Sequence, residues 1–469
     1  MADVLVLGGG IAGLSAALFL ARSGHYVQLI EGDAASAPVN PDHTLRGWPR
    51  QGVAQFGHGH AIHALARRTL RQCAPDVLRT LAAAGAGERD FGTYIPPAER
   101  EPGDDELVAI LVRRSVFEWA MRRAVEVEEH IDIAAGMRGV GLVACDGRRV
   151  PGVAGVGTGD GQIFRAPWVV DATGRKSRVT AWSVELGAAA AEVSWLYSGT
   201  RYYARHFRFT GAARPPASEW HFGPAGDLGY LRFSVLEEDR DSFVVTLNIA
   251  PTDQELRVLR EAEVWTRAAL CMPVLAEWLA LAEPISDVYV IGGLSNVFVR
   301  HGPTTAVGGV IPIGDALCQT NPTHGWGVSM ALHHARLVAE ALNRGQAPTP
   351  ADTADIVATL SRFSLPYYQA AAAEDTERAR LAEGENRDVT NLDNPLFIRK
   401  VAYAQAAKDT KLYRAVQRRI HLFDDPTVLA RDRDLLTYAA QLAPTAVLTS
   451  GPSRPELLDR LTSTRLAGN

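Results

Sequence analysis

Residues 4–31 read VLVLGGGIAGLSAALFLARSGHYVQLIE, and this stretch decides the fold. Val4 to Leu7 is an aliphatic, β-branched run that ends in glycines. Ile11 to Ala21 is a small-residue helix pattern stopped by Ser23 and Gly24, and Tyr26 to Ile30 is a second strand. The chain therefore opens as a βαβ unit. Gly8 permits the tight turn out of the strand, Gly10 lets a pyrophosphate approach the backbone at the helix N-terminus, and Gly13 allows close helix packing. Glu31, at the end of the second strand, is placed to accept ribose hydroxyls, and its charge would repel a 2'-phosphate, which argues against NADP in this site. FAD and NAD both fit these residues.

Working outward, 469 residues with 47% hydrophobic and 22% charged content describe a globular protein able to bury a large core. A formal net charge of -5 offers no overall basic excess to a phosphate backbone, so a nucleic-acid partner is not expected. Cys73, Cys145, Cys271 and Cys318 are scattered, with neither a disulfide framework nor a zinc-binding spacing, and a reducing cytoplasm is the expected location. The N-terminus lacks the basic region of a secretory signal, and no uninterrupted apolar stretch is long enough to cross a bilayer. No metal is expected. His333 and His334 are adjacent on a helix, so their side chains diverge by about 100°.

Two further motifs carry chemistry. In VVDATGRKSRV (169–179), Asp171 ends a short apolar strand, and Thr173, Gly174 and Arg175 form a compact turn. In IPIGDALCQTNPTHGWGVSMALHHARLVAEAL (311–342), Asp315 follows a strand and a glycine, and Pro322, Gly325 and Gly327 precede a helix whose opening amides can face an electron-rich ring or oxygen. The expected fold class is α/β: a Rossmann-like nucleotide-binding domain with an inserted, mainly antiparallel sheet domain and a helical C-terminal region. The boundaries read as 1–184 and 301–345 for the two parts of the first domain, 185–300 for the insertion and 346–469 for the helical region. Residues 34–60 read as a long loop, and 253–281 as helical.

At these motifs the chain resembles the FAD-dependent oxygenases of the aromatic-hydroxylase superfamily, which also contains squalene-type epoxidases and flavin halogenases. The resemblance implies that Gly8, Gly10, Gly13 and Glu31 bind the ADP half of FAD, with Arg114 on its diphosphate and adenosine side. It makes Asp171 and Gly174 the second cofactor fingerprint, puts Asp315 on the ribityl chain and sets Pro322 through Gly327 beside the isoalloxazine. The segment PRQGVAQFGHGHAIHAL (49–65) is further similar to bacterial flavin epoxidases that make polyether epoxides, matching at Arg50, Gly52, Val53, Gln55, His58 and His60. Phe56 and Gly57 replace that group's usual Gly-Arg pair. The tryptophan-rich motif and catalytic lysine pattern of halogenases are not evident between residues 32 and 110, and lysine is absent until Lys176.

The resemblance implies a monooxygenase that epoxidises or hydroxylates a bulky, largely apolar small molecule through a flavin C4a-hydroperoxide, in natural-product biosynthesis. Molecular oxygen would be the co-substrate, and NADPH or NADH the reductant, used directly or through a separate flavin reductase. No second glycine-rich fingerprint follows the first, so a separate nicotinamide-binding domain is not expected. Gln55, His58, His60 and Asn321 are the candidate catalytic residues. His58 and His60 stand at a strand-like i,i+2 spacing, and two loop histidines making structural hydrogen bonds explain them equally well. Tyr202, Trp220, Tyr230, Phe233 and Trp326 are the candidate substrate wall, set against the plainer reading of a sheet core. An FAD-dependent reductase or dehydrogenase on an unsaturated lipid-like substrate, and a non-catalytic flavin-binding or interaction protein, are the alternatives.

Overall fold

The computed structural model describes residues 2–53, 55–145, 152–215, 222–342, 348–442 and 451–462. Strand β1 (Val4–Leu7) is buried along its whole length, as its unbroken aliphatic run requires of a strand covered on both faces. Helix α1 (Ile11–Arg22) leads from it to β2 (Val27–Glu31). Helix α2 (Arg114–Glu126) precedes β3 (Ile131–Ala135), and β4 (Trp168–Asp171) follows three antiparallel strands at Gly139–Ala144, Val153–Thr158 and Ile163–Arg165. α1 is buried from Ile11 to Ala21 apart from Ala12, because its alanines and Gly13 let it lie flush between sheet and neighbouring helix. A methyl group at Gly13 would fall 1.7 Å from the Gly8 carbonyl oxygen.

Beyond residue 190 the chain builds an antiparallel sheet from β5 (Arg201–Phe209), β6 (Ala225–Asp227), β7 (Leu231–Glu237), β8 (Ser242–Ile249), β9 (Ala282–Pro284) and β10 (Tyr289–Ile291). Its spatial order is β6-β7-β8-β5-β9, with β10 also paired to β5. Side chains alternate across the pleat. Tyr203, Phe207, Phe233, Val235, Val245 and Leu247 face helices Ala262–Leu270, Pro273–Leu279 and Arg454–Thr462, where Phe207 stacks on Phe243 and Trp265 at 5.6 and 5.7 Å. Burial of each such aromatic contributes about 1.5–3 kcal/mol. The opposite face carries three cross-strand rows: His206–Val244–Leu236, Ala204–Thr246–Ser234 and Tyr202–Asn248–Arg232.

The chain then returns to the first sheet with β11 (Val310–Pro312), completing the all-parallel order β11-β4-β1-β2-β3. Helix α3 (Gly327–Ala341) packs against α1. Helix α4 (Pro350–Ala382) opens with a capping box between Thr349 and Asp352 and runs 33 residues, about 50 Å. It carries Glu374, Asp375 and Arg378 up to the loop before α3. The fold is thus a Rossmann-like parallel core with an antiparallel insertion and a largely helical C-terminal region. Within the loop expected at 34–60, Pro41–Gly47 forms a short helical turn. Among the described residues, no helix is long and apolar enough to cross a membrane, and no group of three metal-ligating side chains converges.

Candidate active site

Three glycines of the first motif perform separate tasks. Gly8 has φ +95°, and a Cβ there would lie 2.7 Å from the Ala172 carbonyl oxygen, so both the turn and the approach to the strand β4 exit demand glycine. Gly13 is closed by Gly8 itself. Gly10, at the N-cap of α1, has nothing within 4 Å of the position a Cβ would take. No side chain caps α1 and no acidic residue occupies its first turn, so its free amides point into that space. The same holds at α3: Trp326 at the N-cap supplies no side-chain bond, the first turn has no acid, and Gly327 faces open space. Gly314 is wedged between the two helices, its Cβ position 3.1 Å from Ala12 and 3.8 Å from Ala331. The next residue is Asp315. Burial raises the pKa of its carboxyl, Arg175 and Arg114 oppose that rise, and it accepts no hydrogen bond among the described residues. Gly174, at φ +70°, brings the second motif to within 3.9 Å of Asp315.

Beside this groove lies a buried charge cluster. Arg50 donates from Nη2 to the Gly9 carbonyl at 2.8 Å, from Nε to Glu118 at 2.7 Å and from Nη1 to Asp33 at 3.0 Å, and it lies 3.4 Å from Glu31. Burial disfavours its charge, but Glu118, Glu31 and Asp33 together hold it above the ordinary arginine range. Glu31 accepts from the Asp33 amide at 2.7 Å, and its carboxylate lies over Gly9. Arg114 opens α2, pairs with Glu118 at 2.7 Å and lies over Phe56 at 5.7 Å; burial lowers its pKa. Asp33 and Glu118 escaped the sequence reading. Glu118 stands four residues after Arg114, a helix spacing that announces the pair. Asp171 needs correction as a cofactor contact: its carboxylate is taken up by Thr173 N at 3.0 Å, Thr173 Oγ1 at 2.5 Å and Ser177 Oγ at 2.5 Å, so it shapes its own turn.

The histidine segment bridges the two sheets. Gln55 is half-buried in a turn, its carbonyl accepting from the His58 amide at 3.1 Å. His60 Nδ1 meets the His58 carbonyl at 2.8 Å, so the two rings do not extend from a strand. Burial pushes both imidazoles down to about 3, with His206 adding to the effect at His58 and Arg114 at His60; both are neutral near pH 7. His206 stands on β5, opposite this segment. Its Nδ1 meets Glu238 at 2.8 Å and its Nε2 meets the Gly57 carbonyl at 3.0 Å, locking the loop onto the insertion's sheet. Burial works against its charge, yet Glu238 raises its pKa above the usual histidine value.

At the third motif, Pro322 and Gly327 are exposed toward the groove, whereas Gly325, at φ +70°, abuts His63. Asn321, expected among the catalytic residues, is held in a buried network. Its Nδ2 donates to both Asp375 oxygens at 2.8 and 2.9 Å, and its Oδ1 accepts from Thr323 N at 3.0 Å and from the Tyr202 hydroxyl. Asn296 joins the same network through Asp375 at 2.8 Å and the Asn321 amide at 2.7 Å. Every hydrogen-bonding group of that side chain is engaged. Tyr202 lies at the chamber edge, with its hydroxyl also 2.7 Å from Thr323 Oγ1.

Three substrate-wall expectations fail. Phe233 is inside the sheet–helix core, Tyr230 donates to the Pro452 carbonyl at 2.9 Å on that same far side, and Trp326 stacks on His324 at 4.2 Å and packs against Tyr367. Strand alternation sends Phe233 away from the groove, the bend at 229–230 carries Tyr230 to the same side, and helix packing buries Trp326. Trp220 lies outside the described residues. The other face of this sheet carries instead the small and polar set Ala204, Thr246, Ser234, Asn248 and Arg232.

Residues 3–185 match the family described as FAD dependent oxidoreductase. Protein Rv3254 of Mycobacterium tuberculosis is 26% identical over 382 residues, covering 76% of each chain. The 3-hydroxy-4-methyl-anthranilyl-[aryl-carrier protein] 5-monooxygenase of Streptosporangium sibiricum is 26% identical over 348 residues, 72% of this chain and 78% of that one. Among solved structures, the flavin-dependent brominase Bmp2 superposes with a TM-score of 0.61 at 18% identity, covering 94% of this chain and 98% of that one. The N-terminal module thus matches the FAD dependent oxidoreductase family, and the overall fold is the one seen in the flavin-dependent brominase Bmp2 and in p-nitrophenol 4-monooxygenase PnpA.

Proposed function

We propose that the protein is a flavin-dependent monooxygenase that inserts one oxygen atom into a small, largely apolar molecule, by hydroxylation or epoxidation, in a natural-product pathway. The observation that carries this reading is the pair of uncapped helix N-termini at Gly10 and Gly327, both open, with the half-buried carboxyl of Asp315 beside the Gly314 wedge between them. Such a donor set fits FAD. The α1 amides and Arg50 would hold the diphosphate, Glu31 the adenosine ribose and Asp315 the ribityl hydroxyls, with the α3 amides beside the ring. Bound FAD, once reduced by a nicotinamide nucleotide, supplies the electrons that activate molecular oxygen.

The chain's own residues supply position and dryness. The α3 N-terminus stabilises negative charge that develops on the ring side of the groove. The His206–Glu238 pair and the Tyr202–Asn321–Asp375 network pin the loops at Gly57 and Asn321, and the sheet row between their anchor points, Ala204–Thr246–Ser234, carries only small side chains. His58 and His60, neutral through burial, can hydrogen-bond a substrate without adding charge. Oxygenation is favoured over halogenation because the chain's lysines stand at 176, 400, 408 and 411, and Lys400 is bound to Asp227. The aryl-carrier relative supports an aromatic acid derivative as substrate class, and a separate flavin reductase as electron source is consistent with the single nucleotide fingerprint.

Mass spectrometry of candidate substrates incubated with the protein, FAD, a reducing system and labelled oxygen tests the reading. Incorporation of one labelled atom supports it. Saturation or desaturation without label, or a brominated or chlorinated product in halide buffer, refutes it.

A further inference from the structure

The chamber face of the antiparallel sheet ends in a row that runs Tyr202, Asn248, Arg232 and Asp227 across β5, β8, β7 and β6. Tyr202 is tied to the loop before α3 through Asn321 and Thr323, so the row abuts the loop that bounds the proposed flavin side. Asn248 is 7% exposed, and its Oδ1 has no hydrogen-bond partner among the described residues. An unpaired buried amide is costly, of order 1–3 kcal/mol, so a native structure keeping one suggests a missing partner. Because the two ends of an amide are interchangeable by a flip, Asn248 can present its NH2 group to the chamber.

Two guanidiniums converge on the same place. Arg232 makes one hydrogen bond among the described residues, to Thr200 Oγ1 at 3.3 Å. Arg378, reaching down from α4, makes none, and its nearest carboxylate is Glu374 at 4.0 Å. Two of the surrounding acids are engaged elsewhere, Asp227 by Lys400 and by the Gly229 amide at 2.8 Å and Asp375 by Asn321 and Asn296, while Glu374 gives Oε1 to Arg419 at 3.1 Å and leaves only Oε2 toward the cluster. Arg399 adds further positive charge, 3.1 Å from His324 and 3.8 Å from Glu374. Burial first, then Arg232 and Arg399, push the Arg378 guanidinium down to about 9. Arginine nevertheless stays charged in proteins, so the repulsion persists until an anion enters.

We propose that Arg232, Arg378 and Asn248 form an anion-binding site that anchors the carboxylate or phosphate of an otherwise apolar substrate at the edge of the chamber. Its placement relative to the reaction rests on the flavin reading; the site itself does not. Two guanidinium forks and an amide match a planar or tetrahedral oxyanion, and the neighbouring row Ala204–Thr246–Ser234 carries only small side chains on the side where an apolar body would lie.

Calorimetric titration of the FAD-loaded full chain with 2-naphthoate, 2-naphthyl phosphate and the uncharged 2-naphthamide tests this. The anions should bind about tenfold or more tightly than the amide, the difference expected when a charge-assisted pair is removed. R232Q and R378Q should each weaken the anions about tenfold, with R232K intermediate because it keeps charge but loses the fork, while FAD content and naphthamide affinity stay unchanged. Should R378Q fail to fold, R232Q and N248L carry the same comparison. Tighter binding of naphthoate assigns the site to a free acid, and tighter binding of the phosphate to a phosphate-bearing carrier group. Equal affinity for naphthamide, or unchanged anion affinity in folded, FAD-containing R232Q, overturns the proposal. Anion binding by a chain that takes up no FAD would support the site while refuting the flavin reading.

Discussion

Substituting Gly10 by alanine separates a glycine kept for a ligand from one kept for folding. The backbone at Gly10 has φ -78° and ψ -175°, which alanine adopts freely, and the added methyl meets no atom within 4 Å. The folded chain should therefore lose nothing. It should gain about 0.4–1 kcal/mol, because alanine narrows the unfolded ensemble. That methyl nevertheless occupies the space through which a diphosphate must approach the α1 amides. Loss of one charge-assisted hydrogen bond, about 1.5–3 kcal/mol, corresponds to roughly 10- to 150-fold weaker FAD binding. Gly13→Ala is the contrasting control: its methyl would stand 1.7 Å from the Gly8 oxygen, and overpacking of that kind costs about 1–3 kcal/mol or more. Thermal unfolding without FAD and fluorescence titration with FAD read the two quantities separately. Undiminished FAD affinity in G10A, or a G10A apoprotein less stable than the parent, would refute the reasoning.

Asp315→Asn should weaken FAD retention on gel filtration about tenfold while leaving the apoprotein melting temperature within a degree or two, since no internal hydrogen bond is lost; full retention would remove its ribityl role. Phe233→Ala should cost about 3–5 kcal/mol of stability by denaturant titration with FAD affinity retained, as expected of a core residue; a stable variant with altered substrate affinity would restore it to the chamber wall. Acid stability follows from the buried imidazoles. His58 and His60 are held near 3, so they add nothing above about pH 6.5 and destabilise progressively as pH falls toward 3, because only the unfolded chain takes up their protons there. At pH 4.5 each contributes on the order of 2–3 kcal/mol of loss. His334 near 3, and His301 and His333 near 4, act in the same direction, whereas His206, raised by Glu238, loses its stabilisation only as pH rises. Urea midpoints across pH 4–7 should therefore slope more gently in H58Q, and an unchanged slope would contradict the burial argument.

The parallel core was legible because its information is local: Gly8, Gly10 and Gly13 each answer to a neighbour fixed by the βαβ turn itself. Asp315 and Gly174 were legible for the same reason, as strand-end turns. The chamber wall was not, because a strand's aromatic content does not say which face looks inward; Phe233 and Tyr203 differ from Arg232 and Tyr202 by one residue and point opposite ways. The network around Asn321 was not legible for a different reason: its partner Asp375 is 54 residues away on α4, and no spacing in the sequence predicts that meeting. The Arg114–Glu118 pair stands at a helix spacing, but that Glu118 and Asp33 also meet Arg50 was readable only after the fold had brought 31–33, 50 and 114–118 together.

The account stands on one groove between α1 and α3 accepting a flavin nucleotide. Equilibrium titration of the purified chain with FAD, with NAD as competitor and chromatographic identification of whatever nucleotide is retained, tests it most directly. One FAD per chain, undisturbed by excess NAD and lost in the Gly10 variant, is the predicted result; retention of NAD instead, or FAD binding indifferent to both Gly10 and Asp315, would contradict it.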